Sequence, residues 1–274
     1  MIEYKLRQDV FHEMKHFDTT KNLMVFVTGT ELIEGGWEFM KDDDYFDKSI
    51  RYMKAQIDNS LDLGWKPEDI ILATNFDFEY KGVKNYTLKE TCDYSQFLNK
   101  EYAISELIQE GVIKDSNIFY HDLDAFQLQA FDFPTMKGDI GGCIYPGGDG
   151  HSVQCGVLYT KTSASDIWKD MVDKMKTKEF QTGNDEIIIR GYVKLNNNYD
   201  FRFTPLDTSY NVGMTSFNER VQEAVGYLKV CHFHPDDEKQ YDCMVNGVNQ
   251  LNRKIIDERL LNILKSHDLE PEKA

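Results

Sequence analysis

Short apolar runs alternate with helical repeats in the first half of the chain. Three runs, at residues 23–27, 70–73 and 118–120, are almost continuously apolar, which is typical of strands buried on both faces. Between them, apolar side chains recur at helical spacing over residues 46–61 and again over residues 103–108. This alternation predicts an α/β fold in which helices flank a mixed, mostly parallel sheet.

The second half of the chain is less regular. Its apolar segments predict strand 153–160, helix 167–175, strand 201–203, strand 230–233 and helix 248–264. Gly183, Asn184 and Asp185 open a further helix, for which either polar residue is a suitable N-cap. Six glycines between residues 138 and 150 predict a loop that closes over a ligand.

The composition is that of a folded protein. Of the 274 residues 41% are apolar, including 17 Phe and 15 Tyr, which is enough for one large domain over residues 1–274. No run approaches the roughly 20 apolar residues of a membrane helix, and the N-terminus lacks a signal pattern. Five scattered cysteines favour a reducing compartment, so we expect a cytoplasmic protein.

The net charge of −16 argues against a surface dedicated to polyanions. Nucleic-acid affinity comes largely from Lys and Arg that neutralise phosphates, so nucleic acid is an unlikely partner, although one basic groove would suffice. The acidity otherwise indicates solubility.

Two aspartates follow the apolar run at residues 118–120. Asp122 and Asp124 are separated by one residue, so in extended chain both carboxylates project to the same side. Such oxygen donors suit Mg²⁺ or Mn²⁺, and a metal of this kind commonly binds nucleotide phosphates. Ligands of open α/β sheets bind beyond the carboxyl ends of the strands, which is where this pair lies. The alternative is an ordinary acidic loop.

Polar residues also follow the first two strands. Thr28, Gly29 and Thr30 end the first, and Asn75 comes just after the second. Glycine permits close backbone approach and threonine offers hydroxyl groups, as a uridine or ribose would need. The alternative is a simple turn at the end of a strand.

Two histidines end the late strand at residues 230–233. His232 and His234 lie two residues apart, which places both rings on one side of a strand. An imidazole beside two carboxylates suits Mn²⁺, whereas the alternative is a structural role for both rings. A zinc site that adds Cys231 and Cys243 fits no common ligand spacing.

Taken together, these features resemble glycosyltransferases of the GT-A fold, and somewhat the retaining glycogenin-like group. Besides the Asp-x-Asp pair, five short landmarks lie in the family's order within residues 23–239: Lys100, which precedes the pair, and then Cys155-Gly156-Val157, Gly183-Asn184-Asp185-Glu186, Tyr210-Asn211 and His232-Phe233-His234-Pro235. Two positions depart from the pattern. Pro235 replaces a glycine, and the family's Lys-Pro-Trp is absent, which leaves Lys239 as the nearest basic residue.

The resemblance implies roles for several residues. Asp122 and Asp124, with His232 or His234, would bind Mn²⁺ or Mg²⁺, and Asp122 would also contact the nucleotide-sugar. Lys100 and Lys239 would stand beside the diphosphate. Asp185 and Glu186 would face the sugar and acceptor, one of them as a base if the enzyme inverts configuration. Acids in the first turn of a helix are, however, also favoured by its dipole alone.

The resemblance implies a hexosyl- or pentosyltransferase, retaining by its likeness to the glycogenin-like group, that prefers a UDP-sugar among nucleotide-diphosphate sugars. Residues 23–130 would bind the donor, residues 131–245 the acceptor, and residues 246–274 would form a C-terminal helix and tail. The acceptor stays open between glycan, lipid-linked sugar, protein and modified nucleobase. Alternatives are a sugar-phosphate nucleotidyltransferase and a non-catalytic module that binds sugar or metal. A phosphatase of the haloacid dehalogenase type fits poorly, because its Asp-x-Asp lies on the first strand.

Overall fold

A computed structural model describes residues 19–29, 44–145, 152–177, 183–195, 202–213, 224, 226–248 and 252–271. The strands, in chain order, are β1 (Thr20–Phe26), β2 (Ile70–Thr74), β3 (Glu79–Tyr80), β4 (Val83–Thr87), β5 (Asn117–His121), β6 (Ala125–Gln127), β7 (Ile140–Tyr145), β8 (Ser152–Lys161), β9 (Phe203–Leu206), β10 (Val212–Gly213) and β11 (Val230–His232). The longer helices are α1 (Tyr45–Asp62), α2 (Asn99–Gln109), α3 (Ser165–Lys176), α4 (Asp185–Leu195) and α5 (Glu258–Ser266).

Eight of these strands form one mixed sheet in the order β3-β4-β2-β1-β5-β8-β7-β9. The central strand β1 runs parallel to both β2 and β5, with Leu23 opposite Ile71 on one side and Tyr120 on the other. The antiparallel β8 follows β5, so that Val157 lies opposite His121. The predicted α/β fold with helices around a mixed sheet is thus confirmed.

Each face of this sheet is covered by helices. Successive residues of β1 alternate between the faces: Leu23 packs in the cluster that contains α2, α3 and α4, and Met24 in the cluster that contains α1. Both side chains are completely buried. This burial on both faces explains why the parallel strands read as continuous apolar runs.

A second sheet of three strands, β10-β11-β6, packs beside the first. Its β11 is antiparallel to β6, with His232 opposite Ala125. An apolar cluster joins this sheet to α1 and α5. Among the described segments, every helix is too short or too polar to span a membrane.

The glycine-rich segment differs from its prediction as a loop. Residues 140–145 form strand β7, while residues 146–151 lie outside the described part of the chain. At Gly141 a Cβ atom would lie 2.4 Å from the sulfur of Met136, so the glycine permits close packing inside a strand. Composition alone does not separate this use of glycine from a turn.

The C-terminal helix begins later than its apolar periodicity predicts. The backbone N–H groups of Ile255 and Ile256 both donate to the carbonyl oxygen of Met244, at 2.7 and 2.9 Å, which keeps this segment out of the helix. Asp257 then caps α5 by accepting from the N–H of Leu260 at 2.9 Å. Helix 248–264 is therefore corrected to Glu258–Ser266.

Candidate active site

A cavity of about 610 Å³ opens at the carboxyl ends of β1 and β5. Its wall includes residues of both sheets and of helices α1, α2 and α4. The lysines, histidines and carboxylic acids that line it are Lys48, Lys100, Asp122, Asp124, Asp185, Glu186, His232, His234, Asp236 and Asp237. Side chains from distant parts of the sequence thus converge at the edge where α/β sheets bind ligands.

The turn between β5 and β6 presents the two aspartates. The N–H of Ala125 donates to the carbonyl oxygen of Asp122 at 3.1 Å, which closes the turn. Gln56 of α1 clamps it further by donating to the carbonyl oxygens of Leu123 and Ala125, at 2.8 and 3.0 Å. These contacts hold the backbone on both sides of Asp124 in a fixed geometry. Nothing in the sequence indicated this role for Gln56.

Asp122, Asp124 and His232 form a cluster of potential metal ligands. One ligand atom from each lies within 4.8 Å of the others. The pairing of β11 with β6 produces this approach, since it sets His232 opposite Ala125. Two carboxylates and one imidazole are a donor set that fits Mn²⁺ or Mg²⁺. The residues present therefore fit the predicted metal.

Both histidines contact Asp124. His232 Nε2 lies 3.0 Å from Asp124 Oδ1, and His234 Nδ1 lies 3.3 Å from Asp124 Oδ2. Burial by itself raises the pKa of Asp124, but His232 and then His234 outweigh it, so this pKa falls well below its usual range. Burial lowers the pKa of His232, yet the neighbouring Asp124 raises it above its ordinary value.

We expect His232→Ala to weaken Mn²⁺ binding more than His234→Ala. Only His232 belongs to the three-residue cluster, and metal affinity falls steeply when a ligand is removed. Titration of each variant with Mn²⁺, followed by the electron paramagnetic resonance of the free ion, checks the order. Equal and negligible effects would mean that both rings are structural.

Lys100 links the metal cluster to helix α4. Its ammonium lies 2.6 Å from Asp185 Oδ2 and 3.4 Å from Asp122 Oδ1, and it donates to the carbonyl oxygen of Cys155 at 3.1 Å. Burial by itself lowers the pKa of Lys100. The charges of Asp122 and Asp185 outweigh this effect, so the pKa lies well above its ordinary value. A permanent cation thus stands between two carboxylates that the sequence places 63 residues apart.

The two acids of α4 occupy different positions. Asp185 is buried, and its carboxylate accepts from Lys100 and from the N–H of Glu186, the latter at 2.9 Å. Glu186 is half-buried and also lines the cavity. Asn184 caps the helix by accepting from the N–H of Ile187 at 3.2 Å, as one of the two predicted caps.

The polar residues after β1 and β2 bind each other. Asn75 Oδ1 accepts from the N–H of Thr28 at 2.9 Å, and Asn75 Nδ2 donates to the carbonyl oxygen of Thr28 at 2.8 Å. Among the described residues, Val25, Phe26 and Val27 line the cavity here, whereas Thr28, Gly29 and Asn75 do not. Thr30 lies outside the described residues. A nucleotide-binding role for these four stays a prediction.

Lys239 is not part of the described cavity wall, and its role beside the diphosphate stays a prediction. It is exposed in the helical turn Glu238–Tyr241. Sequence reasoning instead missed one face of α1, which contributes Tyr45, Lys48, Ser49 and Tyr52 to the wall. Their spacing of three, one and three residues is the signal that could have identified a polar helix face.

A buried acid lies behind the site. Glu101 is completely buried, and neither carboxylate oxygen has a hydrogen-bond partner in the described structure. Burial, and next the charge of Asp185, raise its pKa from 4.5 to about 8, although Lys100 acts in the opposite direction. Glu101 is therefore neutral in the folded protein at pH 7.

We expect Glu101→Gln to become progressively more stabilising as pH rises from 5 to 8. In this range the folded wild type retains a proton that the unfolded chain has lost, so its free energy of unfolding decreases by up to about 1.4 kcal/mol per pH unit. Glutamine removes that decrease. Urea unfolding at pH 5 and pH 8 checks this, with the exposed Glu68→Gln as control. The same pH slope in wild type and Glu101→Gln would contradict the prediction.

Comparison with known proteins identifies the fold. No protein-family model matches the sequence, and no curated protein matches it significantly. Among solved structures, a glycosyltransferase involved in the glycosylation of the major capsid of PBCV-1 is 12% identical, with a TM-score of 0.51. The match covers 78% of this chain and 93% of that one.

A second similar structure is the apo form of the glycosyltransferase GlyE of Streptococcus pneumoniae TIGR4. It is 14% identical, with a TM-score of 0.50 over 92% of this chain and 64% of GlyE. Both likenesses extend over most of the described elements and agree with the mixed sheet and its flanking helices. The chain therefore has the GT-A fold found in these glycosyltransferases.

Proposed function

We propose that this protein is a metal-dependent glycosyltransferase that takes its sugar from a nucleotide-diphosphate sugar, preferably a UDP-sugar. The observation that carries the proposal is the convergence of Asp122, Asp124 and His232 at the carboxyl edge of a GT-A sheet. The similar structures support it, since both are glycosyltransferases by name. We place its activity in the cytoplasm, as the cysteine pattern predicts.

The division of labour along the chain is part of the proposal. Residues 23–130 supply Asp122 and Asp124 and would bind the donor, and residues 131–245 supply Asp185, Glu186 and His232 and would complete the site around the acceptor. Residues 246–274 would brace the fold from outside, as the packing of α5 against α1 suggests.

The chain's own residues orient the groups that would hold the metal. When bound, Mn²⁺ or Mg²⁺ supplies a Lewis acid that neutralises charge on the departing diphosphate. Tyr120 donates a hydrogen bond from its hydroxyl to Asp122, and Lys100 pairs with the same carboxylate. His234 contacts the second oxygen of Asp124. Such outer contacts fix the direction of a ligand and raise metal affinity.

Retention of anomeric configuration is the stereochemistry that we propose. An inverting enzyme needs a base within reach of the acceptor hydroxyl. Asp185 is a poor candidate because Lys100 and the helix backbone already occupy its carboxylate. It is better suited to positioning Lys100 and the sugar. Glu186 is then the acid whose replacement by glutamine would separate the mechanisms.

A panel of nucleotide-sugars tests the function. We expect Mn²⁺ to stimulate slow hydrolysis of one donor, with release of its nucleoside diphosphate, and the NMR spectrum of the transfer product to show retention. Glu186→Gln should then keep measurable transfer. An inverted product, with activity lost about 10²–10⁴-fold in Glu186→Gln, would instead make Glu186 the base.

Two other outcomes would identify the alternatives. Release of pyrophosphate from a nucleoside triphosphate and a sugar 1-phosphate would indicate a nucleotidyltransferase. Tight binding of a nucleotide-sugar without any turnover would indicate a binding module.

A further inference from the structure

One face of α1 forms a wall of the cavity beside the metal cluster. Tyr45, Lys48, Ser49 and Tyr52 lie on this face, and all four line the cavity. Asp124 contributes to the raised pKa of both Tyr45 and Tyr52, which is consistent with the closeness of this face to the ligands. The helix therefore carries a lysine into the region where a metal-bound phosphate would lie.

Asp236 holds Lys48 in place. The Lys48 ammonium pairs with Asp236 Oδ2, and the Tyr52 hydroxyl donates to Asp236 Oδ1 at 2.9 Å. The Lys48 side chain is 21% exposed and that of Asp236 is 36% exposed. The pair is thus open to the cavity, unlike the ion pairs of Lys100, whose side chain is 5% exposed.

The backbone fixes Asp236 next to the histidines. The N–H of Asp237 donates to the carbonyl oxygen of His234 at 3.1 Å, and the N–H of His234 donates to Gln240 Oε1 at 3.0 Å. These bonds fold residues 234–240 into a compact turn. Asp236 therefore stays beside the cluster, and Lys48 is held there with it.

Charge makes Lys48 the best-placed cation for a diphosphate. In the described part of the cavity wall, Lys48 and Lys100 are the lysines, and there is no arginine. Lys100 is enclosed by Asp122 and Asp185, whereas the carboxylate that pairs with Lys48 belongs to the more exposed Asp236. An exposed ion pair contributes little stability, and a diphosphate carries more negative charge than one carboxylate, so a diphosphate can compete with Asp236 for the ammonium.

We propose that Lys48 binds the diphosphate of the donor and that Asp236 holds its ammonium in readiness when no donor is present. This inference rests on the proposed function. It gives to α1 the role that the sequence suggested for Lys239. On donor binding the ammonium exchanges Asp236 for a phosphate oxygen, while Tyr52 continues to donate to Asp236.

The test is calorimetric binding of UDP in the presence of saturating Mn²⁺. We expect Lys48→Met to weaken UDP binding about 10- to 100-fold, as the loss of a charge-assisted hydrogen bond does. Lys48→Arg should recover most of the affinity, and the matched control Lys84→Met, at a side chain that is 74% exposed and outside the described cavity wall, should stay within twofold of the wild type. Lys239→Met should lose less affinity than Lys48→Met. Binding of Mn²⁺ alone should be unchanged in Lys48→Met, because the carboxylate that Lys48 pairs with is that of Asp236, which is not one of the three metal-ligand candidates.

Asp236→Asn tests the exchange of partners. Neutralising the competing carboxylate should tighten UDP binding severalfold in the wild type, and this gain should disappear in Lys48→Met. If Asp236→Asn tightens UDP binding equally in the wild type and in Lys48→Met, the proposed exchange of partners by Lys48 is wrong.

The other outcomes separate this inference from the proposed function. UDP binding within twofold of the wild type in Lys48→Met, or a larger loss in Lys239→Met, would overturn the role of Lys48 and leave the glycosyltransferase proposal intact. Loss of Mn²⁺ binding in Lys48→Met would overturn it as well, by making Lys48 a support of the metal site. If the wild type binds none of UDP, GDP, ADP, CDP and TDP with Mn²⁺, both proposals fail together.

Discussion

Replacing Asp124 by asparagine is expected to lower turnover by at least about a hundredfold, and an excess of chelator should abolish activity until Mn²⁺ is added. Asp124 contacts both His232 and His234 and is one of the three grouped ligand candidates. The amide keeps the shape of the side chain but removes the charge that balances a divalent cation. Release of nucleoside diphosphate under steady-state conditions measures the effect.

A surface aspartate provides the control for this change. Asp77 is exposed and lies outside the described wall of the cavity, so Asp77→Asn should leave turnover within twofold. Full activity in excess chelator would contradict metal dependence. Full activity of Asp124→Asn with Mn²⁺ would show that Asp124 is not a metal ligand needed for turnover.

Gly156 lies in β8, beside the cluster of candidate metal ligands, and Gly156→Ala is expected to weaken metal binding. A Cβ atom at Gly156 would lie 2.2 Å from His232 Cε1 and 3.0 Å from Asp122 Oδ2. The methyl group must therefore displace His232, and we expect Mn²⁺ affinity to fall about 10- to 100-fold, as when a metal site loses its geometry. Titration with Mn²⁺ and the rate of donor hydrolysis measure the change.

Two further variants isolate the clash. Gly191 of α4 has open space around a Cβ atom, so Gly191→Ala should keep activity and raise stability by about 0.5–1 kcal/mol. Adding His232→Ala to Gly156→Ala relieves the contact and should restore thermal stability without restoring metal binding. Normal Mn²⁺ affinity in Gly156→Ala would show that the strand can move away.

The core of the fold was predictable because its signals are local. Strands β1, β2 and β5 are buried on both faces, so their apolar runs identify them without knowledge of their neighbours. Strand β7 was missed because Gly141 serves tight packing against Met136, a contact that the sequence does not reveal. The start of α5 was misplaced for a similar reason, since the N–H of Ile255 donates to the carbonyl oxygen of Met244, eleven residues earlier, instead of entering the helix.

The site likewise combines residues that local sequence signals predicted with residues that only packing brings together. The spacing of Asp122 and Asp124 after a strand predicted their joint orientation, and the family resemblance indicated Lys100 and His232. Lys48 had only the weaker signal of a polar helix face, and a lysine on an amphipathic helix is usually a solvated residue. Its position follows from the packing of α1 against the turn between β5 and β6, where Gln56 binds the backbone.

The candidate metal ligands lie in the turn between β5 and β6 and on strand β11, and Asp122 and His232 are 110 residues apart in the sequence. At a synthesis rate of about 5–20 residues per second, the ribosome needs roughly 6–20 s to add the imidazole after the aspartates. During that interval the nascent chain exposes an acidic turn without its third ligand. If the proposed metal binds there, its capture would mark the end of folding, and a chain without metal would be complete but less stable.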